Sequence, residues 1–249
     1  MKVSVITATY NREGTVVRAL SSIKSQTYSD IQTVVVDGAS QDNTISLVTP
    51  LLGENDILQS EPDLGIYDAL NKGLALAEGE ILAFLHSDDL YFDNNVISEV
   101  VDAFSDDTVD VVYGDVVFFS GRNVMKIKRR YRADTLSEKN LAWGKMPAHP
   151  AIFIRRRVYE NIGYFDTDFK IAGDYEFLCR VVHYADLKSV YLSSVLVRMQ
   201  LGGISTGGFR NTILLNKEVF RAIGKNGIYT NVFMLLSKYP SKILQFLGT

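Results

Sequence analysis

The feature that most constrains the fold is a regular alternation of short apolar runs and amphipathic helical segments in the first 104 residues. Residues 3–8 form an apolar run, and Val16, Leu20 and Ile23 then recur at helical spacing. The pattern continues in further apolar runs at 31–36, 57–60 and 81–85, and in helical segments at 65–77 and 94–104. Such alternation predicts βαβ units, and therefore a Rossmann-like α/β fold whose mostly parallel sheet is flanked by helices.

Polar segments follow several of these predicted strands. A parallel sheet binds its ligands beyond the carboxyl ends of its strands, which here selects residues 7–13, 37–40 and 86–89. The first strand is followed neither by a G-x-G-x-x-G fingerprint nor by a Walker A lysine loop. Nucleotide phosphates at this site would therefore need a metal ion and basic side chains.

The charged residues are divided unevenly along the chain. The formal net charge is -3, but residues 1–121 hold 5 Lys/Arg against 20 Asp/Glu, and residues 122–249 hold 21 against 9. The two parts thus carry -15 and +12. An acidic half joined to a basic half predicts two working surfaces, one of which faces an anion. The acidic first half and the lack of a recognised binding module argue against a nucleic-acid partner.

Cysteine content and hydropathy indicate the compartment. Cys179 is the only cysteine, so an intrachain disulfide is impossible and a reducing, cytoplasmic setting is expected. Ser4 and Thr7 interrupt the N-terminal apolar run, which is too short for a signal peptide. No run of about 18 apolar residues occurs, so no membrane-spanning helix is expected.

Two acidic positions follow strands of the first half. Asp88 and Asp89 come directly after a fully apolar strand, where a carboxylate could bind a divalent metal that bridges the phosphates of a nucleotide. The alternative is a turn with a helix cap. Asp37 ends the second strand and could accept hydrogen bonds from a base or ribose, although Asp-Gly turn chemistry explains it equally well.

Three residues of the second half are candidates for the acceptor side. Asp174 and Glu176 lie where a loop enters a helix and could act as a general base. The alternative is that both simply favour the positive end of the helix dipole. His149 lies between two prolines and could contact an acceptor or a phosphate, or be a hydrogen-bonded structural residue.

Basic residues dominate the rest of the second half. The run Lys126, Lys128, Arg129, Arg130 and Arg132 could serve phosphates or form a solvated face. Residues 196–249 hold 7 Lys/Arg against the single acid Glu218, and residues 228–247 place apolar side chains at helical intervals. This C-terminal helical extension, residues 201–249, could lie on an anionic membrane surface or dock on the core.

Taken together, these residues resemble the family 2 glycosyltransferases of the GT-A fold. The match is dense over residues 1–115, where it includes Thr-Ala-Thr-Tyr-Asn-Arg-Glu13, Val-Val-Val-Asp37-Gly and Phe-Leu-His-Ser-Asp-Asp89. The stretch Glu61-Pro-Asp-Leu-Gly-Ile-Tyr-Asp-Ala resembles in particular the colanic-acid-type enzymes of bacterial surface polysaccharide assembly. The second half matches more thinly, at Ala148-His-Pro and Gly173-Asp-Tyr-Glu.

The resemblance implies roles in the donor site. The positions that hold the nucleoside of a nucleoside-diphosphate sugar match Thr7, Tyr10, Glu13 and Asp37. Asp88 matches the last acid of the D-x-D motif, which binds the donor through Mn²⁺ or Mg²⁺. The first position of that motif is His86 here, where the family pattern has Asp.

The resemblance also implies the chemistry. Asp174 matches the catalytic base of an inverting transfer, in which an acceptor hydroxyl attacks the anomeric carbon of the donor. His149 and Glu176 would lie on the acceptor side, and the usual acceptor is a saccharide, often lipid-linked. Residues 1–115 would then form the donor half and residues 116–200 the acceptor half of one domain, with the enzyme at the inner face of the plasma membrane.

Two other functions are considered. A sugar nucleotidyltransferase typically opens with a Gly-rich, Arg-containing loop after the first strand, where this chain has Ala-Thr-Tyr-Asn-Arg-Glu. A non-catalytic GT-A-fold binding protein would fit the His86 departure, whereas the intact Asp37, Asp88 and Asp174 favour an enzyme.

Overall fold

The computed structural model describes residues 1–121, 123–133, 135–184, 186–202 and 208–237. Within these ranges, nine strands form a single sheet. The strands are β1 (Val3–Thr9), β2 (Ile31–Asp37), β3 (Ile57–Ser60), β4 (Ile81–Phe84), β5 (Leu90–Tyr91), β6 (Val111–Phe119), β7 (Ile127–Tyr131), β8 (Ile152–Arg155) and β9 (Ser189–Gln200). The helices are α1 (Val16–Lys24), α2 (Thr44–Val48), α3 (Ile66–Leu76), α4 (Val96–Ala103), α5 (Glu138–Ala142), α6 (Arg156–Ile162), α7 (Gly173–Val181), α8 (Phe209–Lys225) and α9 (Val232–Leu236).

The strands run mostly in one direction. Their order is β3-β2-β1-β4-β8-β6-β9-β5, and β7 pairs with the far end of β6. The first four strands are parallel, β8 is antiparallel to both of its neighbours, and β6 and β9 are parallel to each other. Six strands therefore share a direction, and only β5, β7 and β8 oppose it. The predicted α/β fold class is confirmed.

Both faces of the sheet are covered, because successive side chains of a strand point to opposite faces. In β1, Ile6 and Ala8 belong to one hydrophobic cluster and Val3 and Val5 to the other. Helices α1, α2 and α4 cover the second cluster, and α3, α6, α7 and α8 cover the first. Gly73 lets α3 approach β1 closely, since a Cβ there would lie 2.3 Å from Cγ2 of Ile6.

The apolar runs predicted as strands all form strands, with ends that shift by one residue at most. The sequence analysis did not anticipate β6, β9 or α8. Strands β6 and β9 pair with each other although more than 70 residues separate them in the chain. Local periodicity carries no information about such a pairing. The predicted division at residue 115 falls inside β6, so the two halves share one sheet.

The C-terminal extension is helical where it is described. Helix α8 packs against α7, and the short helix α9 docks on the core through Leu235, which is buried. The predicted helix over 228–247 corresponds to α9 only in part, because residues 238–249 lie outside the described residues. No helix of the described part of the chain is both long enough and apolar enough to span a bilayer.

Candidate active site

A cavity of about 450 Å³ opens at the carboxyl ends of β1 and β4. This is the edge of the sheet where the sequence predicts a binding site. Four of the predicted site residues line it: Tyr10, Asp88, His149 and Asp174. Residues that follow strands of the donor half thus meet a residue from the start of α7, more than 80 positions later in the chain.

Three predicted donor residues, Thr7, Glu13 and Asp37, are not among the residues that line the cavity. Thr7 is fully buried in β1. Asp37 is also fully buried and accepts hydrogen bonds from the Ser40 backbone N–H and the Ser60 hydroxyl, each at 2.8 Å. Glu13 accepts hydrogen bonds from the Asn43 backbone N–H at 3.0 Å and from its side-chain amide at 2.9 Å. These contacts brace the loops beside the cavity, and direct contact of these residues with a donor stays a prediction.

Asp88 and its neighbour have opposite environments. Asp88 lines the cavity, and among the described residues none donates a hydrogen bond to its carboxylate. The Asp89 side chain is buried and accepts the Gln200 backbone N–H at 2.9 Å. Burial, together with the charge of Asp88, raises the pKa of Asp89 well above its usual value. Asp89 also borders the cavity, but its carboxylate is buried and already accepts a hydrogen bond, so Asp88 is the carboxylate available to a ligand.

Two histidines stand against each other beside Asp88. The His149 ring stacks on Phe84, with centroids 4.8 Å apart, and lies 5.7 Å from the ring of His86. Burial lowers the pKa of His149 to about 3, with a further contribution from His86, and burial also lowers the pKa of His86. The lowered pKa favours the neutral imidazole at both positions. His149 lines the cavity and packs in an aromatic cluster, and its contact with an acceptor or a phosphate stays a prediction.

Asp174 lies at the start of α7, where the loop before it enters the helix. Its Oδ1 atom accepts the Tyr175 backbone N–H at 2.8 Å and lies 3.1 Å from the Tyr67 hydroxyl. That hydroxyl is also 2.7 Å from the carbonyl oxygen of Ile171, so its single proton serves one acceptor at a time. Burial raises the pKa of Asp174 to about 6, although the hydrogen bonds from Tyr175 and Tyr67 oppose the rise. A carboxylate with such a pKa suits general-base catalysis near neutral pH.

Glu176 does not reach the cavity. Its side chain is fully buried, with oxygens 3.0 Å from the guanidinium of Arg180 and 3.0 Å from Nζ of Lys225. Two positions along a helix differ by about 200°, so Asp174 and Glu176 point to different sides of α7. Its predicted place on the acceptor side is not supported by this position.

Several cavity residues were missed by the sequence analysis. Asp63 and Tyr67 line the cavity and belong to the Glu61–Asp68 stretch that carries the family resemblance, so that stretch was a usable signal. Arg12 and Lys170 bring two cations to the cavity, and neither forms a salt bridge within the described ranges. No sequence pattern set them apart from other basic residues.

The basic run of residues 126–132 lies elsewhere. None of it lines the cavity, and Arg130 pairs with the buried Asp115 at 2.7 Å. Arg129 alone approaches the site, because its guanidinium stacks 4.5 Å from the ring of the cavity residue Phe118. The phosphate-binding cations at this cavity are better sought in Arg12 and Lys170.

Sequence comparison gives the family of the chain. The glycosyl transferase family 2 model matches residues 4–163, so the chain belongs to that family. It is 30% identical over 247 residues to a PGL/p-HBAD biosynthesis glycosyltransferase of Mycobacterium bovis, covering 96% of this chain and 91% of the relative. An uncharacterized glycosyltransferase of Mycobacterium tuberculosis is 35% identical over 180 residues, covering 72% of this chain and 68% of the relative.

Solved structures agree with the fold. The crystal structure of S. aureus TarS 1-349 in complex with UDP-GlcNAc superposes with a TM-score of 0.69 at 23% identity, covering 90% of this chain. This chain spans 66% of that TarS fragment. A second similar structure is the mannosyltransferase PcManGT from Pyrobaculum calidifontis in complex with GDP-Man and Mn²⁺, with a TM-score of 0.62 at 18% identity. The superposition covers 98% of this chain and 80% of the PcManGT chain.

These comparisons confirm the predicted family and the GT-A fold. The chain is a glycosyltransferase, which argues against the nucleotidyltransferase alternative. The narrower resemblance to colanic-acid-type enzymes stays a prediction, since the relatives named above carry other descriptions.

Proposed function

We propose that the protein is an inverting glycosyltransferase that moves a sugar from a nucleoside-diphosphate sugar to a saccharide acceptor. The observation that carries this proposal is the position of Asp88 and Asp174 on one cavity, with a pKa of about 6 at Asp174. In a single displacement, the acceptor hydroxyl attacks the anomeric carbon, the bond to the diphosphate breaks, and the hydroxyl proton passes to the Asp174 carboxylate.

The donor diphosphate would lie between Asp88 and the cations of Arg12 and Lys170. Among the described residues, no three or more His, Cys, Asp or Glu side chains converge as a complete metal site. Asp88 nevertheless offers a carboxylate that faces the cavity, and the neutral imidazole of His86 stands beside it. Asp88, with His86 beside it, would hold a divalent cation at this edge of the cavity. When bound, Mn²⁺ or Mg²⁺ stabilises the negative charge of the leaving diphosphate.

The nucleotide and sugar are proposals by analogy alone. Proteins of similar fold bind UDP-GlcNAc and GDP-Man, so both classes of donor belong in a test. The proposed acceptor is a lipid-linked saccharide of bacterial cell-surface polysaccharide biosynthesis. The name of the mycobacterial relative, PGL/p-HBAD biosynthesis glycosyltransferase, supports a place in a biosynthetic pathway.

An exposed apolar surface near the C-terminal end supports the proposal that the protein associates with a membrane. We define the C-terminal patch as Trp143, Tyr229, Val232, Phe233 and Leu236. All five side chains are exposed, and Phe233 reaches 87%. Helix α9 buries only Leu235, so its other face is free of the core within the described residues. With 7 Lys/Arg against one acid in residues 196–249, this patch suits an anionic membrane at the cytoplasmic side.

Vesicle sedimentation at low salt tests the membrane proposal. The protein should sediment with vesicles that contain an anionic lipid and remain free with zwitterionic vesicles. Phe233→Ser should weaken binding, whereas Leu64→Ser, which alters an equally exposed leucine (93%) outside the patch, should not. Equal loss in both variants, or no binding at all, would contradict it.

Thermal stabilisation by a panel of sugar nucleotides, with and without Mn²⁺ or Mg²⁺, tests the donor proposal, because a ligand that binds the folded state raises the melting temperature. Asp88→Ala should abolish metal-dependent donor binding in a calorimetric titration. A protein that binds a donor but neither hydrolyses nor transfers its sugar would instead be the non-catalytic binding protein considered above.

A further inference from the structure

The loop that leads into Asp174 is held by one carboxylate from α8. Glu218 accepts the backbone N–H groups of three consecutive residues, Lys170, Ile171 and Ala172. Its Oε2 atom receives all three, at 3.1, 2.9 and 2.9 Å, and Oε1 receives the first at 3.0 Å. The next two residues are Gly173 and Asp174, with which α7 begins.

The arrangement is unusual for a buried carboxylate. The exposed fraction of Glu218 is 7%, and within the described ranges it forms no salt bridge with Lys or Arg. Two cations that follow Glu218 in α8 are engaged elsewhere: Arg221 donates to the carbonyl oxygen of Asp168 at 2.9 Å, and Lys225 pairs with Asp166 and Glu176. Backbone amides therefore compensate the charge of Glu218. The Lys170–Ala172 segment cannot move without leaving a buried carboxylate unsatisfied, which is costly.

We propose that Glu218 is a positioning residue for Asp174: it fixes the Lys170–Ala172 segment and thereby sets where the Asp174 carboxylate stands in the cavity. This inference rests on the proposed role of Asp174 as the base. It assigns a catalytic purpose to the single acid of a basic C-terminal segment, in a helix that the family model, which ends at residue 163, does not include.

Glu218 also acts on Asp174 through its charge. Its negative charge contributes to the raised pKa of Asp174. Tyr67 from α3 and the Tyr175 backbone N–H oppose that rise by hydrogen bonding to the carboxylate. The other charged or titratable side chains on the cavity are Tyr10, Arg12, Asp63, His86, Asp88, Asp89, His149 and Lys170. Removal of the Glu218 charge should therefore lower the pKa of Asp174.

Three variants separate charge, geometry and general stability. Glu218→Gln can keep its carbonyl oxygen at the Oε2 position, so it should retain the three contacts to Oε2 and lose the charge and the second contact from the Lys170 N–H to Oε1. Glu218→Ala should lose both. Arg221→Ala is the matched control, because it removes a contact between the same helix and the same loop, to Asp168 and the Phe169 ring, and leaves the 170–172 amides untouched.

The first measurement is hydrogen exchange of the Lys170, Ile171 and Ala172 amides, which needs no substrate. Exchange should accelerate at least about tenfold in Glu218→Ala, change little in Glu218→Gln and stay unchanged in Arg221→Ala. The second is the titration of the Asp174 carboxyl by carbon NMR, assigned by its loss in Asp174→Asn. Its pKa should fall in both Glu218 variants and not in Arg221→Ala.

Turnover supplies the third measurement. In Glu218→Ala, kcat should fall on the order of 10²-fold, since a displacement of about 1 Å can cost that much. The donor KM should rise as well, because Lys170 belongs to the released segment and lines the cavity. Glu218→Gln should recover most of the loss. Three results would each overturn the positioning role of Glu218. They are unchanged exchange of the Lys170–Ala172 amides in Glu218→Ala, an unchanged Asp174 pKa in the Glu218 variants, and equal losses of kcat in Glu218→Ala and Arg221→Ala. If the unaltered protein transfers no sugar, the proposed function fails, while exchange and titration still decide whether Glu218 positions Asp174.

Discussion

Asp174→Asn replaces the cavity carboxylate by a neutral side chain of the same shape. Both hydrogen-bond contacts of Asp174 in the structure involve Oδ1, which approaches the Tyr175 N–H and the Tyr67 hydroxyl. Asparagine retains an oxygen at that position and so keeps both contacts. The substitution therefore changes the charge of the site with little change in its packing.

The size of the stability change expected for Asp174→Asn follows from the pKa of the Asp174 carboxyl. Burial raises the pKa of Asp174 to about 6 from an ordinary value of 3.8. Because the folded protein binds this proton more tightly than the unfolded chain, the carboxylate lowers stability above pH 6, and the penalty fades as the pH falls toward 4. At about 1.4 kcal/mol per pKa unit, the penalty is at most about 3 kcal/mol at pH 8 and about 1 kcal/mol at pH 4.5. Asp174→Asn should remove it.

The assay is urea denaturation at both pH values, combined with transfer kinetics. We expect the variant to be more stable than the unaltered protein at pH 8, with a smaller gain at pH 4.5. Its kcat should fall by about 10²–10⁴-fold, the usual contribution of a general base, while donor affinity is retained. A residue that destabilises the fold and is needed for turnover shows the trade-off typical of active sites.

Glu176→Gln provides the contrast from the same helix. Glu176 is buried with Arg180 and Lys225 as charged partners, so its neutralisation should destabilise the protein, on the order of 2–3 kcal/mol given the partial exposure of both cations. If Asp174→Asn lowered stability at pH 8 as Glu176→Gln does, the inferred penalty would be refuted. Undiminished turnover of Asp174→Asn would refute its role as the base.

Three further substitutions test the surroundings of the site. Tyr67→Phe removes a hydrogen bond that lowers the pKa of Asp174, so the acid limb of the kcat–pH profile should move to higher pH; an unmoved limb would show that the hydroxyl serves only Ile171. Gly173→Ala would place a Cβ 2.8 Å from the Tyr67 ring, so kcat should fall with the donor KM unchanged, and normal kinetics would show that the ring can shift. Gly73→Ala would press a Cβ into a buried β1 side chain at 2.3 Å, so urea denaturation should show a loss of about 1–3 kcal/mol, and an unchanged midpoint would mean that α3 can move away from the sheet.

The first half of the fold was predictable because its signals are local. A strand buried on both faces is a continuous apolar run, and the helices between such runs repeat their apolar residues every three to four positions. The site at the carboxyl ends of β1 and β4 followed from the parallel sheet alone. Strands β6 and β9 pair with each other from distant parts of the chain, and local periodicity carries no information about such pairing.

The sequence by itself determined the α/β class, the edge of the sheet that holds the cavity, and the presence of acids at positions 88, 174 and 176. Only the tertiary structure decided which acids face the cavity. Asp174 and Glu176 look alike in the sequence, but the turn of α7 directs one to the cavity and the other to the cations of α7 and α8. Glu218, 44 positions after Asp174, meets the loop before it only because α8 packs against α7. The chemistry of a carboxylate depends on the water, charges and amide groups around it, and these are set by contacts between residues far apart in the chain.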